Sequence, residues 1–312
     1  MAKTIREAYG EALVRLGAEI PDVVVLDSDV SNSTKSCLFA GVYPERHFNV
    51  GIAEANMMAM ACGMAACGKI PFVNSFAVFL TSNGLLSARS LGSYSGLPIK
   101  IAGAYSGLSD AFDGPSHHAL EDLAIMRALP GFEVYVASSG VQTAWLTELA
   151  ARTSSPVYMR LSREAFPEIY SPDEQFEPGK GKVLRRGEDL TIIACGLMVS
   201  KALEAARILS QQGIEVTVVD MFSIKPLDEE LILSCAKQTG AILTAEEGNI
   251  LGGLGGAVCE TLCRNGAAVP VDMAGIADCH AECGPYASLQ KKYGLDAETL
   301  ENKALALLKK KH

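Results

Sequence analysis

Residues 46–68, Arg-His-Phe-Asn-Val-Gly-Ile-Ala-Glu-Ala-Asn-Met-Met-Ala-Met-Ala-Cys-Gly-Met-Ala-Ala-Cys-Gly, decide the fold of this chain. The apolar start at 48–50 predicts a short strand, and a Gly-Ile-Ala turn leads from it into a helix. Methionine, alanine and cysteine occupy nearly every face of this helix, which is typical of a helix that is buried rather than half in water. We therefore expect a strand, a tight turn and a buried helix.

Glu54 is the one acidic side chain between the turn and the end of this helix, and it stands in the helix's first turn. A carboxylate carried into a poorly hydrated place is costly unless it has a partner. Two interpretations are open. Glu54 either satisfies only the free N–H groups and the dipole of the helix start, or it serves chemistry in a buried site. The local pattern favours the first, and the rest of the chain must decide.

The composition limits the function before any other motif is considered. With 312 residues, the chain has material for about two domains. Its net charge of −9 argues against a general affinity for nucleic acid or an anionic membrane. No apolar run approaches the roughly 18 residues that span a bilayer, and residues 1–7 lack the apolar core of a signal peptide. Nine scattered cysteines suit reduced thiols, so we expect a cytoplasmic protein.

Apolar strands alternate with helices along the whole chain, which predicts α/β architecture with two doubly wound domains and mainly parallel sheets. A proline- and glycine-rich linker at 167–181 separates a first domain, 1–166, from a second, 182–312. In the first domain we predict strands at 23–26, 48–50, 71–76, 99–105, 133–137 and 157–161. In the second domain we predict strands at 190–195, 215–220, 242–246 and 271–275.

Polar segments follow two of these strands at their carboxyl ends, where open α/β sheets place ligand contacts. The first is the loop at 27–34. The second, after the strand at 99–105, contains Asp113-Gly-Pro-Ser-His117-His118, and imidazole is the side chain best placed to move protons near neutral pH. The segment could equally be a turn and helix entry, with Asp113 as a cap and Pro115 in the first turn.

Two further motifs are weak. The glycine run at 252–256 resembles a dinucleotide fingerprint, but it follows a third strand and its acidic pair precedes it, so close helix packing is the favoured interpretation. Cys279-His280-x-x-Cys283 resembles half of a metal site without a second pair at zinc-ligand spacing, and we therefore assign no metal ligands to this chain.

Three features stand in one order: Gly-Ile-Ala-Glu54 before the helix, Ser75-Phe76-Ala-Val-Phe79, and Asp113-Gly-Pro-Ser-His117. In this order they closely resemble the pyrimidine-binding domain of transketolases. The second domain resembles the transketolase C-terminal domain, so the resemblance covers almost the whole chain. It is nearest in style to the C-terminal subunits of split, two-subunit bacterial transketolases.

The resemblance implies that thiamine diphosphate is the cofactor. Glu54 would then be catalytic, binding the aminopyrimidine ring nitrogen and favouring the imino tautomer. Phe79 would stack on the pyrimidine with Phe76 on the same wall, although plain core packing would also explain both rings. Asp29 and Val30 stand in the position of cofactor neighbours.

The same resemblance implies substrate contacts. His117 would bind the donor's carbonyl and hydroxyl oxygens and assist proton transfer as a second catalytic residue, and Asp113 would contact a sugar hydroxyl. Arg163 matches an arginine that grips the substrate's phosphate, while a surface arginine at a strand end is the alternative. Ser33 stands in the position of a phosphate-contacting serine.

The chain departs from the family pattern in two ways. Tyr105 stands where full-length transketolases have a histidine, and the Gly-Asp-Gly…Asn pattern that binds the diphosphate and its Mg²⁺ is missing. The resemblance therefore implies that an N-terminal transketolase subunit supplies most of the contacts to thiamine diphosphate and Mg²⁺. Because related enzymes pair two such sites about a twofold axis, we expect an α2β2 assembly.

The function implied is ketol transfer from a ketose phosphate to an aldose phosphate, active only with the partner subunit. A deoxyxylulose-phosphate-synthase-like half and the β subunit of a 2-oxoacid dehydrogenase are alternatives within the thiamine enzymes. An alternative from another class is a non-catalytic protein that binds a nucleotide through the glycine run at 252–256 or serves as an assembly scaffold.

Overall fold

The computed structural model describes residues 4–311, so the predictions that concern residues 1–3 and 312 lie outside the described part of the chain. The predicted α/β class is confirmed, because two mainly parallel sheets carry helices on their faces. The strands are β1 (Val23–Asp27), β2 (His47–Asn49), β3 (Ile70–Phe76), β4 (Lys100–Ala104), β5 (Glu133–Val136), β6 (Val157–Arg160), β7 (Lys182–Arg185), β8 (Leu190–Ala194), β9 (Val216–Asp220), β10 (Ser223–Lys225), β11 (Ile242–Asn249) and β12 (Val271–Ile276).

The first sheet has seven strands in the order β10-β5-β6-β4-β3-β1-β2. All its neighbours run parallel except β10, which pairs antiparallel with β5. The second sheet has the order β12-β11-β8-β9-β7, and β7 is its antiparallel edge. Sequence patterning missed both antiparallel edges, since three- and four-residue strands carry too few side chains to show a period. Strand β10 comes after β9 in the chain but joins the first sheet, so the division between the sheets does not by itself define the domains. The domain boundaries therefore stay a prediction.

Helices cover both sheets, and none within residues 4–311 has the length and apolar character that crossing a bilayer requires. They are α1 (Ile5–Glu19), α2 (Ser31–Thr34), α3 (Cys37–Val42), α4 (Glu54–Ala66), α5 (Ala77–Ser82), α6 (Leu85–Ser87), α7 (Asp122–Ala128), α8 (Gly140–Arg152), α9 (Met198–Ser210), α10 (Glu229–Thr239), α11 (Leu254–Arg264), α12 (Tyr286–Lys292) and α13 (Ala297–Leu308), with a π-helical turn at Ala88–Ser93. The polar loop predicted at 27–34 thus contains the short helix α2.

Helix α4 is only partly covered by its own chain. It buries the face that carries Met57, Met58 and Ala61, but its other face, including Ala55 and Gly63, is exposed. The apolar pattern predicts burial of this helix, either by a neighbouring subunit or within its own sheet, and the single chain covers only one side of it. An apolar pattern cannot distinguish a core face from a face that another chain covers.

The segment 167–181 has no helix or strand, but it is packed against both halves of the chain. The Tyr170 hydroxyl donates to Asp220 at 2.7 Å, and Ser138 Oγ donates to the same carboxylate at 2.6 Å. The ring of Phe176 lies 5.3 Å from that of Trp145 and 5.7 Å from that of Phe222. These contacts hold the two sheets in one arrangement.

Candidate active site

The predicted site residues lie at or after the carboxyl ends of five strands, β1, β2, β3, β4 and β6. These strands are parallel neighbours in the order β6-β4-β3-β1-β2, so their carboxyl ends meet at one edge of the sheet. The fully buried carboxylate of Asp27 closes the segment after β1, accepting from Val30 N at 2.7 Å, Thr34 Oγ1 at 3.0 Å and Ser36 Oγ at 2.9 Å. Burial raises the pKa of Asp27 above its ordinary value.

Glu54 is the first residue of α4 and is 5% exposed. Its Oε1 accepts a hydrogen bond from Ser75 Oγ at 3.2 Å, and Ser75 Oγ in turn accepts from Ser28 Oγ at 2.6 Å. A carboxylate that served only to cap its own helix would bond the free backbone N–H groups there. Glu54 instead faces side chains at the ends of β1 and β3, which supports its interpretation as a functional group.

The rings of Phe76, Phe79 and His117 form an aromatic wall. Phe76 ends β3, and Phe79 lies one helical turn further on α5, with the two rings stacked at 6.1 Å and 29°. The imidazole of His117 meets Phe79 edge-on at 5.2 Å and lies 6.1 Å from Phe76. All three rings are half-buried. Residues predicted from two separate motifs are therefore in contact.

The two histidines of the loop after β4 have different surroundings. His117 Nδ1 lies 2.9 Å from Ser116 Oγ, and its ring faces the aromatic wall. His118 is 3% exposed, and burial lowers its pKa below the ordinary value. Of the two, His117 is the one that lies against the aromatic wall, where it is placed to meet a ligand.

A carboxylate cluster adjoins His117. One ligand atom each from Asp110, Asp113 and His117 lie within 4.8 Å of one another. The Asp110 side chain is fully buried, whereas Asp113 is exposed. Burial, with the neighbouring Asp113 charge, raises the pKa of Asp110 to about 6.

Arg163 joins this cluster through Asp110. Its Nη1 donates to Asp110 Oδ1 at 3.2 Å, and its guanidinium carbon lies 5.2 Å from the centroid of the Tyr105 ring. The guanidinium carbon of Arg6 lies 5.0 Å from the same centroid, and Arg6 Nη1 donates to the Tyr105 hydroxyl at 3.1 Å. Two cations thus contact one ring, and that ring stacks on Phe76 at 4.4 Å.

Tyr105 has a φ of 57°, a left-handed conformation that is uncommon for a residue with a bulky side chain. Such conformations persist where the surroundings hold the residue firmly, and they cluster at functional sites. Here the hydrogen bond from Arg6 and the stacking on Phe76 hold the ring in place. The position that departs from the family pattern is therefore central to this arrangement.

The remaining predicted residues lie along the segment after β1. Asp29 has a φ of 68°, and its Oδ1 accepts from Asn49 Nδ2 at 2.8 Å. Val30 is held through its backbone N–H by Asp27. The Ser33 carbonyl accepts from Arg6 Nη1 at 2.5 Å, which links Ser33 to the Tyr105 end of the site. The hydrogen bonds of Asp29 and Val30 therefore go to residues of β1 and β2 and not to the aromatic wall.

The second sheet holds the loop after β4. Glu247 on β11 accepts from Leu108 N at 3.2 Å and from the Tyr286 hydroxyl at 2.7 Å. Backbone bonds run from Gly284 N to the Ala111 carbonyl at 3.0 Å and from Asn249 N to the Leu120 carbonyl at 2.8 Å. Burial raises the pKa of Glu247 to about 7.

The glycine run at 252–256 has a structural role. Glu246 is 3% exposed and accepts from Leu254 N at 3.0 Å and Gly255 N at 2.8 Å, so a carboxylate occupies the start of α11. A Cβ at Gly253 would come within 1.9 Å of Glu246 Oε2. The N–H groups that would bind a dinucleotide's phosphate are already used by the chain itself. This favours the packing interpretation over a nucleotide site.

Sequence reasoning missed Arg6, Asp110, Ser75 as the partner of Glu54, and Glu247. A signal existed for Asp110, since it stands in the same polar loop as Asp113. Arg6 lies on the amphipathic helix α1, where its position indicates only a surface residue. Its contact with Tyr105 joins residues 99 positions apart.

The family comparisons agree with this geometry. The family model described as the transketolase pyrimidine binding domain matches residues 1–168, and the transketolase C-terminal domain model matches 179–300. A Methanocaldococcus jannaschii protein named as a putative transketolase C-terminal section is 42% identical over 99% of this chain and 97% of its own length. The 6-deoxy-6-sulfo-D-fructose transketolase subunit SqwH of a Clostridium strain is 37% identical over 99% of this chain and 95% of its length.

Solved structures give the same result. A split gene transketolase described as an inactive beta4 tetramer superposes with a TM-score of 0.91, at 46% identity and 99% coverage of both chains. Campylobacter jejuni transketolase shares the fold, with a TM-score of 0.84 at 21% identity, and this chain covers 47% of it. Together with the matched family models, these similarities establish that the chain belongs to the transketolase family and spans its pyrimidine-binding and C-terminal domains.

Proposed function

We propose that this chain is the C-terminal subunit of a two-subunit, thiamine-diphosphate-dependent transketolase. It would help transfer a two-carbon ketol unit from a ketose phosphate to an aldose phosphate, and it would act only together with its N-terminal subunit. The observation that carries this proposal is the buried Glu54 carboxylate, hydrogen-bonded to Ser75 beside the wall of Phe76, Phe79 and His117.

These residues fit the pyrimidine end of thiamine diphosphate. Glu54 offers a poorly solvated carboxylate that can share a proton with a weakly basic ring nitrogen. Half-buried aromatic rings at Phe76 and Phe79 offer apolar surface to a flat heterocycle. When bound, the cofactor would supply a nucleophilic carbon for attack on the donor's carbonyl group.

The chain's own residues would orient the sugar and move its protons. His117 Nδ1 faces Ser116 Oγ at 2.9 Å, which leaves Nε2 to bind the donor's oxygens and exchange a proton there. Asp113 would accept a hydrogen bond from a sugar hydroxyl. Arg163, together with Ser33, which Arg6 links to Tyr105, would bind the distal phosphate. Asp29 and Val30, after β1, would lie beside the cofactor.

The diphosphate end requires a partner. The charge of the cofactor lies mostly on its diphosphate, which needs Mg²⁺ and backbone donors. The pattern that provides them in this family is missing from this chain, so we assign them to the N-terminal subunit. Relatives that are themselves named as subunits support this assignment. Besides SqwH, they include an apulose-4-phosphate transketolase subunit of Phocaeicola vulgatus, which is 36% identical over 98% of this chain.

Self-association would cover the exposed face of α4. Helix α4 contacts α6 and the π-helical turn. Exposed apolar side chains lie on or just after these two elements, where Leu86 is 75%, Leu91 40% and Tyr94 90% exposed. Together they make an apolar surface of the kind that marks a protein interface. A twofold axis through this surface would give the expected α2β2 assembly once each copy binds its N-terminal subunit.

The alternatives are less well supported. A 2-oxoacid dehydrogenase β subunit or a deoxyxylulose-phosphate-synthase-like half would not account for two matching transketolase domain models together with full-length similarity to named transketolase sections. A non-catalytic protein that binds a nucleotide through the glycine run would need the start of α11, where the Glu246 carboxylate already accepts the backbone N–H groups.

The test combines the purified chain with the product of the adjacent gene, thiamine diphosphate, Mg²⁺ and a panel of ketose phosphates. We expect ketol transfer with at least one donor. Glu54→Gln is the matched variant: it preserves the shape of the side chain and the bond from Ser75 but cannot share a proton in the same way. Activity of this variant within about tenfold of wild type, which is about 1.4 kcal/mol in the barrier, would contradict the role of Glu54.

A further inference from the structure

Asp110 lies at the centre of the substrate end of the site, and the roles proposed above leave it without a function. Its Oδ1 accepts from Arg163 Nη1 at 3.2 Å. Its Oδ2 is buried and has no hydrogen-bond partner within residues 4–311. Buried carboxylate oxygens are normally satisfied, so an unpartnered one beside a ligand site indicates a donor that arrives with the ligand. The exposed Asp113 and the ring of His117 lie next to it.

The charges at this end of the site nearly cancel. Arg6 and Arg163 contribute two positive charges around Tyr105, and Asp110 and Asp113 contribute two negative ones. A dianionic phosphate that approaches Arg163 would therefore also meet the Asp110 carboxylate bonded to it. Because Asp110 is fully buried, solvent screens this repulsion only weakly.

We propose that Asp110 determines donor specificity: by pairing with Arg163 it weakens selection for a dianionic distal group, so that ketoses ending in a hydroxyl or a single negative charge are accepted beside ketose phosphates. This inference rests on the proposed function. The unpartnered Oδ2 accepts a hydrogen bond from a hydroxyl of such a donor. A metal ion in the same place is disfavoured, since Arg163 already brings a positive charge to Asp110.

The kinetic test compares Asp110→Asn with wild type in the assembled, cofactor-loaded complex. The donors are a ketose phosphate and the same ketose without phosphate. Removing the negative charge should raise the ratio of kcat/KM for the phosphorylated over the unphosphorylated donor by about tenfold, or about 1.4 kcal/mol. A purely structural role would lower both values together and leave the ratio unchanged, which would overturn the proposal.

Two variants separate the Asp110–Arg163 pair from a general charge effect. Glu164→Gln removes a carboxylate next to Arg163 in the sequence whose backbone N–H bonds Ser162 Oγ, and it should leave the ratio within about twofold of wild type. Asp110→Asn in an Arg163→Ala background should no longer change the ratio, because the pair is already broken. Asp110→Ser removes the same charge with a smaller side chain and should reproduce the tenfold change if the asparagine variant folds poorly.

A binding measurement tests the proposal without turnover. Inorganic phosphate is titrated into the complex, already saturated with thiamine diphosphate, by calorimetry. The dissociation constant should fall about tenfold in Asp110→Asn. An unchanged dissociation constant would refute the proposal. A wild type whose kcat/KM is more than about a thousandfold higher for the phosphorylated donor, or about 4 kcal/mol, would refute it as well. If the wild-type complex transfers a ketol group from neither donor, the proposed function fails, whereas the phosphate titration still decides the role of Asp110.

Discussion

Replacing Glu247 by glutamine should make the stability of this chain less dependent on pH. Glu247 is 3% exposed, and its Oε1 accepts from Leu108 N and from the Tyr286 hydroxyl. Glutamine has the same shape, and its amide oxygen can accept both bonds. The substitution therefore removes the ionisable proton and preserves the contacts between β11 and the loop that carries His117.

The magnitude follows from the pKa. Burial raises the pKa of Glu247 from 4.5 to about 7, a shift equivalent to about 3 kcal/mol. Because the folded pKa is above the unfolded one, this contribution to stability is fully present below the unfolded pKa and is lost as the pH rises through about 7. Between about pH 5.5 and about pH 8, the wild type should lose about 2 kcal/mol of unfolding free energy relative to Glu247→Gln.

Urea unfolding of wild type and variant at both pH values provides the assay, with the free energies of unfolding compared at each pH. Glu188→Gln, at an exposed position in the loop between β7 and β8, is the control, and its difference in unfolding free energy from wild type should be the same at both pH values. A Glu247→Gln difference that also stays level would refute the reasoning, because it would mean that folding leaves the Glu247 proton affinity unchanged.

Three further predictions concern the site and the glycine run. His117→Ala should lower sugar turnover by at least about a hundredfold, while the affinity for thiamine diphosphate, measured by calorimetry, stays close to wild type. A parallel loss of this affinity would indicate that His117 binds the cofactor and not the sugar. Arg163→Ala should raise KM for phosphorylated donors by about tenfold and affect unphosphorylated donors much less, and equal effects in steady-state kinetics would exclude a phosphate contact. Gly253→Ala should lower the melting temperature by several degrees, because its Cβ would come within 1.9 Å of Glu246. Gly256→Ala, whose Cβ has no neighbour closer than 3.6 Å, should not.

The alternation of apolar strands and helices was enough to predict the α/β class, because each buried strand carries a continuous apolar run that sequence reveals directly. The order of three short motifs was enough to identify the family. Motifs that lie far apart in sequence but follow neighbouring parallel strands must meet at one sheet edge, which is why Phe76, Phe79 and His117 are in contact.

Long-range polar pairs could not be predicted. The Arg163–Asp110 bond joins residues 53 positions apart, and the Glu247–Leu108 bond joins residues 139 positions apart. Neither pair belongs to a local pattern with a period or a cap. Sequence left two interpretations of the apolar helix α4, burial by a neighbouring subunit and burial in its own sheet, since methionine and alanine have the same pattern in a core and in an interface between chains.

The dependence of this chain on a partner can be measured by titrating the N-terminal subunit into it, with thiamine diphosphate, Mg²⁺ and xylulose 5-phosphate present and ketol transfer as the readout. We expect no ketol transfer by the chain alone, a rise in rate with each addition of the N-terminal subunit, and saturation near one partner per chain. Turnover by the chain alone at about 1 s⁻¹ or faster, unchanged by the partner, would contradict this expectation.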